Sequence, residues 1–191
     1  MNKRIYVDMD GTLCVFGHVD SFEELLEKGY FLNRPPMENV IEAVKILEEE
    51  SDIEVHILSA YLEENKYAKK EKKLWLKKYL PWLDKERIHL VKCGISKFSV
   101  AKSNNLNVAD AVLLDDYSVN LREWGSVAIK VMNGINGNNG SWKGKPSISA
   151  FDKPEKIAED IVKIVKKGEK NDINITYKKY RHNRGFNNRF Q

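Results

Sequence analysis

The chain has 191 residues, of which 42% are hydrophobic and 31% charged, and its formal net charge is +4. That length supports one substantial core with a modest insertion rather than two full domains, and the composition is that of a soluble globular protein. No apolar run approaches the roughly 20 residues that cross a bilayer, which excludes a membrane-spanning role.

The elements follow in order. The opening segment, Met1 to Asp8, reaches an acidic residue before any apolar stretch of signal-peptide length. With Cys14 and Cys93 read as two free thiols, a cytoplasmic location is the expectation. A first strand is predicted over Ile5 to Val7. The segment 14–33 carries Phe16, Phe22, Tyr30 and Phe31, is too short for a separate domain, and reads as a small lid. Pro35 and Pro36 suit the first turn of a helix whose apolar positions are Val40, Ile41, Val44 and Leu47. A second strand is predicted over Ile53 to Leu58, then a helix from Glu63 to Leu80, stopped by Pro81. The many lysines of that helix read as a solvated surface, and Leu74, Trp75, Tyr79 and Leu80 as its apolar contacts. Further strands are predicted over Ile88 to Val91, Ala111 to Leu114 and Val127 to Val131.

A loop rich in Asn and Gly spans 133–142; it reads either as a long turn or as backbone that can approach a ligand closely, with Trp142 able to cover such a site. The last helix is predicted from Pro154 to Lys167. Residues 169–191 form a basic tail that includes Tyr177-Lys178-Lys179-Tyr180-Arg181-His182-Asn183-Arg184. This mix of bases and aromatics is compatible with nucleic-acid contact, although polar terminal stretches are more often solvated or laid along their own domain. Strands alternating with helices imply a Rossmann-like three-layer α/β/α fold, a mostly parallel sheet in one domain over 1–168, with the lid inserted at 14–33.

In such a sheet, ligands bind beyond the carboxyl ends of the strands. Past the first predicted strand lie Asp8 and Asp10; past the second, Ser59; soon after the third, Lys97; past the fourth, Asp115 and Asp116. Several carboxylates brought together repel one another unless a cation intervenes, and hard oxygen ligands select Mg²⁺. A hydroxyl and an ammonium beside them suit the oxygens of a phosphate. In that chemistry Asp8 is the nucleophile, Asp10 the acid and base, and Ser59 and Lys97 the phosphate-binding pair. His56 and His89 fall inside strands and read as packed residues, and nothing beyond its lid position singles out His18.

Asp8-Met9-Asp10-Gly11-Thr12-Leu13, Ile57-Leu58-Ser59-Ala60, Ser96-Lys97 and Leu113-Leu114-Asp115-Asp116 resemble the four ordered motifs of the haloacid dehalogenase-like hydrolases. The likeness spans about Ile5 to Val131, and the second acid at Asp10 favours the phosphatases among them. The Asp-Met-Asp-Gly opening, and Leu-Leu-Asp-Asp followed by Asn120 and Trp124, further resemble the 5′(3′)-deoxyribonucleotidases. That resemblance implies hydrolysis of nucleoside monophosphates, with metal on the Asp8 carboxylate, the Asp10 backbone carbonyl and Asp116. Asp115 would orient Lys97 or a metal-bound water, and Asn120 would support the site. The lid is shorter than in the better-known deoxyribonucleotidases, so their base-holding aromatics do not transfer. Phe16, Tyr61 and Trp142 are the candidate substrate contacts. The alternatives are a phosphatase of another small ester such as a sugar phosphate, and an enzyme removing terminal phosphates from a nucleic acid with help from the basic tail.

Overall fold

The computed structural model describes residues 3–103, 111–124, 127–136 and 141–166. The basic tail at 169–191 and part of the 133–142 loop lie outside the described residues. Six strands are present: β1 (Lys3–Val7), β2 (Ile53–Tyr61), β3 (Ile88–Lys92), β4 (Val112–Asp115), β5 (Val127–Met132) and β6 (Ser147–Ser149). They form one sheet in the order β3-β2-β1-β4-β5-β6, and every pair is parallel. The helices are α1 (Glu38–Glu49), α2 (Ala68–Tyr79), α3 (Lys97–Ser103), α4 (Ser118–Trp124) and α5 (154–166). Among the described residues, no helix is long and apolar enough to cross a membrane.

Strand periodicity sorts the core. Ile5, Val7, Val112 and Leu114 pack on one face with Val44 and Leu47 of α1, Trp75 and Leu76 of α2, and Ile157 and Ile161 of α5. The alternating residues Tyr6 and Leu113 pack on the other face with Leu121 and Trp124 of α4 and Ala101 of α3. Both faces are thus covered, and the central stretches Ile5 to Val7 of β1 and Val112 to Leu114 of β4 are apolar without alternation, as parallel central strands require. The strand order reverses between β1 and β4, which opens a crevice at their carboxyl ends.

Four boundaries differ from the sequence expectation. Pro35 and Pro36 precede α1 in an extended stretch: Cys14 bridges to Pro36, and the Val15 N–H donates to the Pro35 carbonyl at 2.8 Å. A proline pair is restricted to such extended backbone, so it closes the base of the insertion rather than starting the helix. Helix α2 begins at Ala68 instead of Glu63. Asn65 enforces this, since its Oδ1 accepts the N–H groups of Tyr67 (2.7 Å) and Ala68 (3.0 Å). Strand β2 continues through Ser59 to Tyr61, because β3 goes on pairing with it after β1 has ended at Val7. The polar edge strand β6 was not expected; it pairs with Lys130 to Met132.

The insertion 14–33 contains one short 3-10 turn, Glu23–Leu26. Its Tyr30 and Phe31 form a small satellite core with Ala68 of α2, against which Phe16, Val19, Leu25, Tyr61 and Leu62 pack.

Candidate active site

Chain geometry around Asp8 is set by a tight turn. The Met9 carbonyl accepts the N–H groups of Leu13 (2.8 Å) and Cys14 (3.0 Å), and the Gly11 N–H donates to the Cys14 carbonyl at 2.9 Å. Met9 and Leu13 are fully buried and anchor the turn. Gly11 sits at φ +75°, a left-handed conformation that side chains disfavour. The turn carries Asp8 and Asp10 over the end of β1. The Asp8 N–H donates to the Leu114 carbonyl at 2.9 Å, which sets Asp8 beside Asp115 and Asp116 at the end of β4.

Carboxylate oxygens of Asp8, Asp115 and Asp116 lie within 4.8 Å of one another, and all three residues are buried. Lys97, at the start of α3, reaches in from the side. Its Nζ stands 2.6 Å from Asp115 Oδ2 and 2.8 Å from Asp8 Oδ1. The contact with Asp8 is an ion pair, and Asp8 Oδ1 is otherwise buried without a hydrogen-bond donor. Asp115 is fully engaged: its Oδ2 also accepts Asn120 Nδ2 at 2.9 Å, and its Oδ1 accepts the Tyr117 N–H at 2.7 Å. Desolvation is outweighed at Lys97 by its two carboxylate partners, which hold the ammonium above its ordinary range.

Two groups at the site were not anticipated. The first is Lys72 of α2, which is completely buried (0% exposed). Its Nζ donates to Asp10 Oδ2, to Ser59 Oγ at 3.2 Å and to the Ala60 carbonyl at 2.6 Å. This corrects the reading of the α2 lysines as a uniformly solvated face. Lys72 stands four residues from Ala68 and four from Leu76, both fully buried, so helical spacing puts it in the buried stripe. That spacing was the signal available in the sequence. The second group is Asn133, just after β5. Its Nδ2 donates to the Gly11 carbonyl (2.7 Å) and to Asp116 Oδ2 (3.0 Å), and its Oδ1 accepts the N–H groups of Ile135 (2.9 Å) and Asn136 (3.0 Å). Asn136 Nδ2 donates to Asp116 Oδ2 as well.

The candidate substrate contacts are placed differently from one another. Phe16 meets the Tyr30 ring edge-on at 6.2 Å, within the insertion's own packing. Tyr61 ends β2 in the same cluster, with Lys69 Nζ 5.3 Å from its ring centroid. Trp142 is buried in the core on the α3 and α4 side, and its Nε1 donates to the Pro146 carbonyl at 2.8 Å. The Trp142 ring is thus packed among apolar side chains rather than exposed. His56 of β2 and His89 of the edge strand β3 stack at 5.4 Å, and Cys14 and Cys93 are unpaired thiols.

The electrostatics favour a divalent cation. Four carboxylates, Asp8, Asp10, Asp115 and Asp116, face the two ammonium groups of Lys72 and Lys97. With all four ionised, the two excess negative charges equal the charge of one such ion. Burial, with the charges of Asp8 and Asp115 added, pushes the Asp116 carboxyl up to about 7 when no cation is bound. Desolvation likewise raises the Asp10 carboxyl, the charge of Asp8 adding to it and that of Lys72 opposing it. The carboxylate oxygens of Asp8 and Asp116, hard donors that are buried and close together, could hold a hard cation.

No family model matches the chain, and no curated protein matches it in sequence. Solved structures share its fold. The D,D-heptose 1,7-bisphosphate phosphatase from Burkholderia thailandensis superposes with a TM-score of 0.54 at 15% identity, over 84% of this chain and 99% of its own. A hydrolase from Pseudomonas syringae superposes with a TM-score of 0.53 at 13% identity, over 86% of this chain and 99% of its own. At these identities the likeness establishes the Rossmann-like α/β fold.

Proposed function

We propose that the chain is a Mg²⁺-dependent phosphomonoesterase of the haloacid dehalogenase-like kind, acting through an aspartyl phosphate on Asp8. The observation that carries this reading is the meeting of Asp8, Asp10, Ser59, Lys97, Asp115 and Asp116 at one sheet edge. Mg²⁺ held by Asp8, the Asp10 carbonyl and Asp116 would neutralise charge on the phosphoryl oxygens.

The remaining work falls to side chains. A carboxylate oxygen of Asp8 attacks phosphorus, forming an O–P bond as the bond to the ester oxygen breaks. Asp10 gives its proton to that leaving oxygen. Asp10 then takes a proton from water, whose oxygen displaces Asp8 and releases inorganic phosphate. Lys97, held by Asp115, keeps an N–H for a non-bridging oxygen, and Asn120 holds Asp115 in turn.

For the substrate, the resemblance around Asp8 to Gly11 and Leu113 to Asp116 supports a nucleoside 5′-monophosphate. A second reading, a small ester such as a sugar phosphate, is favoured by the insertion's aromatics. Phe16 and Phe31 each meet the Tyr30 ring edge-on, which is not a stacked arrangement for a base. A panel of nucleoside monophosphates, sugar phosphates and 5′-phosphorylated oligonucleotides, assayed for phosphate release with Mg²⁺, tests these readings. A clear preference for sugar phosphates overturns the nucleotidase reading, and no release from any ester overturns the phosphatase reading.

A further inference from the structure

The buried ammonium of Lys72 has no part in the scheme above, yet its surroundings are specific. A lysine ammonium has three N–H donors and no acceptor. Here the three meet Asp10 Oδ2, Ser59 Oγ and the Ala60 carbonyl. None is left for a substrate oxygen, in contrast to Lys97. Stability alone does not account for this residue. An apolar side chain would continue the stripe of Ala68, Trp75 and Leu76, whereas a buried ion pair gains little over apolar packing of the same volume.

What Lys72 does is fix the orientation of its neighbours. Asp10 is the more exposed partner, its side chain 19% accessible at the floor of the site. With Oδ2 facing an N–H donor, the proton Asp10 transfers is carried on Oδ1. Among the described residues, the other side chain that donates to Asp10 is the Cys14 thiol, a weak contact at 3.8 Å from Oδ1. Because Ser59 Oγ accepts from Lys72, its own O–H is turned away from Lys72 and is available to donate to a phosphate. The preceding residue, Glu71, accepts the N–H groups of Gly29 (2.6 Å) and Phe31 (3.2 Å) from the insertion. One turn of α2 therefore fastens the insertion with one residue and the acid with the next.

We propose that Lys72 is a positioning residue: it holds the Asp10 carboxyl with Oδ1 toward the leaving oxygen, so that proton transfer to the leaving group depends on it. This rests on the phosphomonoesterase reading of the site. The test uses the full chain with Mg²⁺ and two substrates, a nucleoside 5′-monophosphate, whose alkoxide must be protonated as it leaves, and p-nitrophenyl phosphate, whose phenolate departs without a proton. General-acid catalysis contributes about 10²–10⁴-fold. Lys72→Met should therefore lower kcat on the nucleotide by about that factor, lower it less than about tenfold on p-nitrophenyl phosphate, and leave KM for both near the wild-type value. In an Asp10→Asn background, Lys72→Met should add little further loss on the nucleotide. If a melting curve shows Lys72→Met to be unfolded, Lys72→Gln, which keeps a donor without the charge, is read in its place. Equal losses on the two esters, a rise in KM alone, or unchanged kinetics would each overturn the proposal. A wild-type chain that releases phosphate from neither ester, nor from a sugar phosphate, would instead overturn the underlying reading of the site.

Discussion

Replacing Gly11 with alanine tests the architecture of the site at one atom. At φ +75° an alanine adopts a left-handed conformation that costs about 1–2 kcal/mol. The added Cβ would also run into the Asp116 carboxylate, with Cγ at 2.6 Å and Oδ1 at 2.9 Å. Asp116 cannot swing aside freely, because Asn133 and Asn136 both donate to its Oδ2. Each hydrogen bond to a charged group is worth about 1.5–3 kcal/mol, and water entering the gap recovers part of that. A net loss of about 2–4 kcal/mol lowers the melting temperature of a chain this size by about 5–15 °C. Thermal melts with and without Mg²⁺, together with calorimetric Mg²⁺ titration, separate the two effects. Gly11→Ala should melt earlier and also lose most of the stabilisation that Mg²⁺ confers. A melting point within about 2 °C of wild type, with Mg²⁺ binding intact, would refute the claim that Gly11 is required for close approach to Asp116.

Other outcomes follow from the same geometry. Asp8→Asn should abolish turnover and phosphoenzyme formation, measured by acid-quench trapping, with the circular dichroism spectrum unchanged; retained hydrolysis would remove Asp8 as nucleophile. Burial, with Asp8 and Asp115 beside it, pushes the Asp116 carboxyl up to about 7 in the folded, metal-free chain, against about 3.9 when unfolded. The folded state therefore holds a proton that the unfolded state releases, so this group's contribution to stability falls as pH rises from about 4 through 7. In EDTA, the wild-type melting temperature should drop across that window relative to Asp116→Asn, and a parallel pair of curves would contradict the assignment. Glu71→Ala leaves the Gly29 and Phe31 N–H groups without their acceptor, at about 1–3 kcal/mol for a buried donor. Hydrogen exchange should quicken at residues 29–31 while the β1 amides stay protected, and uniform exchange across the chain would show that the insertion is not fastened locally.

The parts of this molecule visible in its sequence are those where periodicity and position coincide. The strands β1 to β5 show as short β-branched or aliphatic runs, and the parallel alternation follows from the helices between them. Asp8, Asp115, Asp116 and Lys97 stand where those runs stop, so the strand ends marked residues that the fold brings together. Ser59 was assigned beyond its strand and lies within it; it reaches the site because β2 outruns β1. Lys72 was hidden by composition. It is one of six lysines in α2, and only its four-residue spacing from Ala68 and Leu76 distinguishes it from those facing water. Asn133 left no local trace, since an Asn before Gly reads as a turn wherever it occurs, and its partners are fixed by tertiary structure. The strand β6 is three residues of Ser-Ile-Ser whose pairing comes from its neighbour rather than from its own propensity.

The bond from Asn133 to the Gly11 carbonyl joins residues 122 positions apart. During synthesis the acidic turn after β1 leaves the ribosome first, and at typical elongation rates of 5–20 residues per second it waits on the order of ten seconds for its clasp. Until β5 and Asn133 emerge, a nascent chain carries the acids of the site without the side chain that ties Asp116 to the turn. The candidate site is therefore finished late, and a messenger cut short before that codon yields a product with the acids but without this clasp.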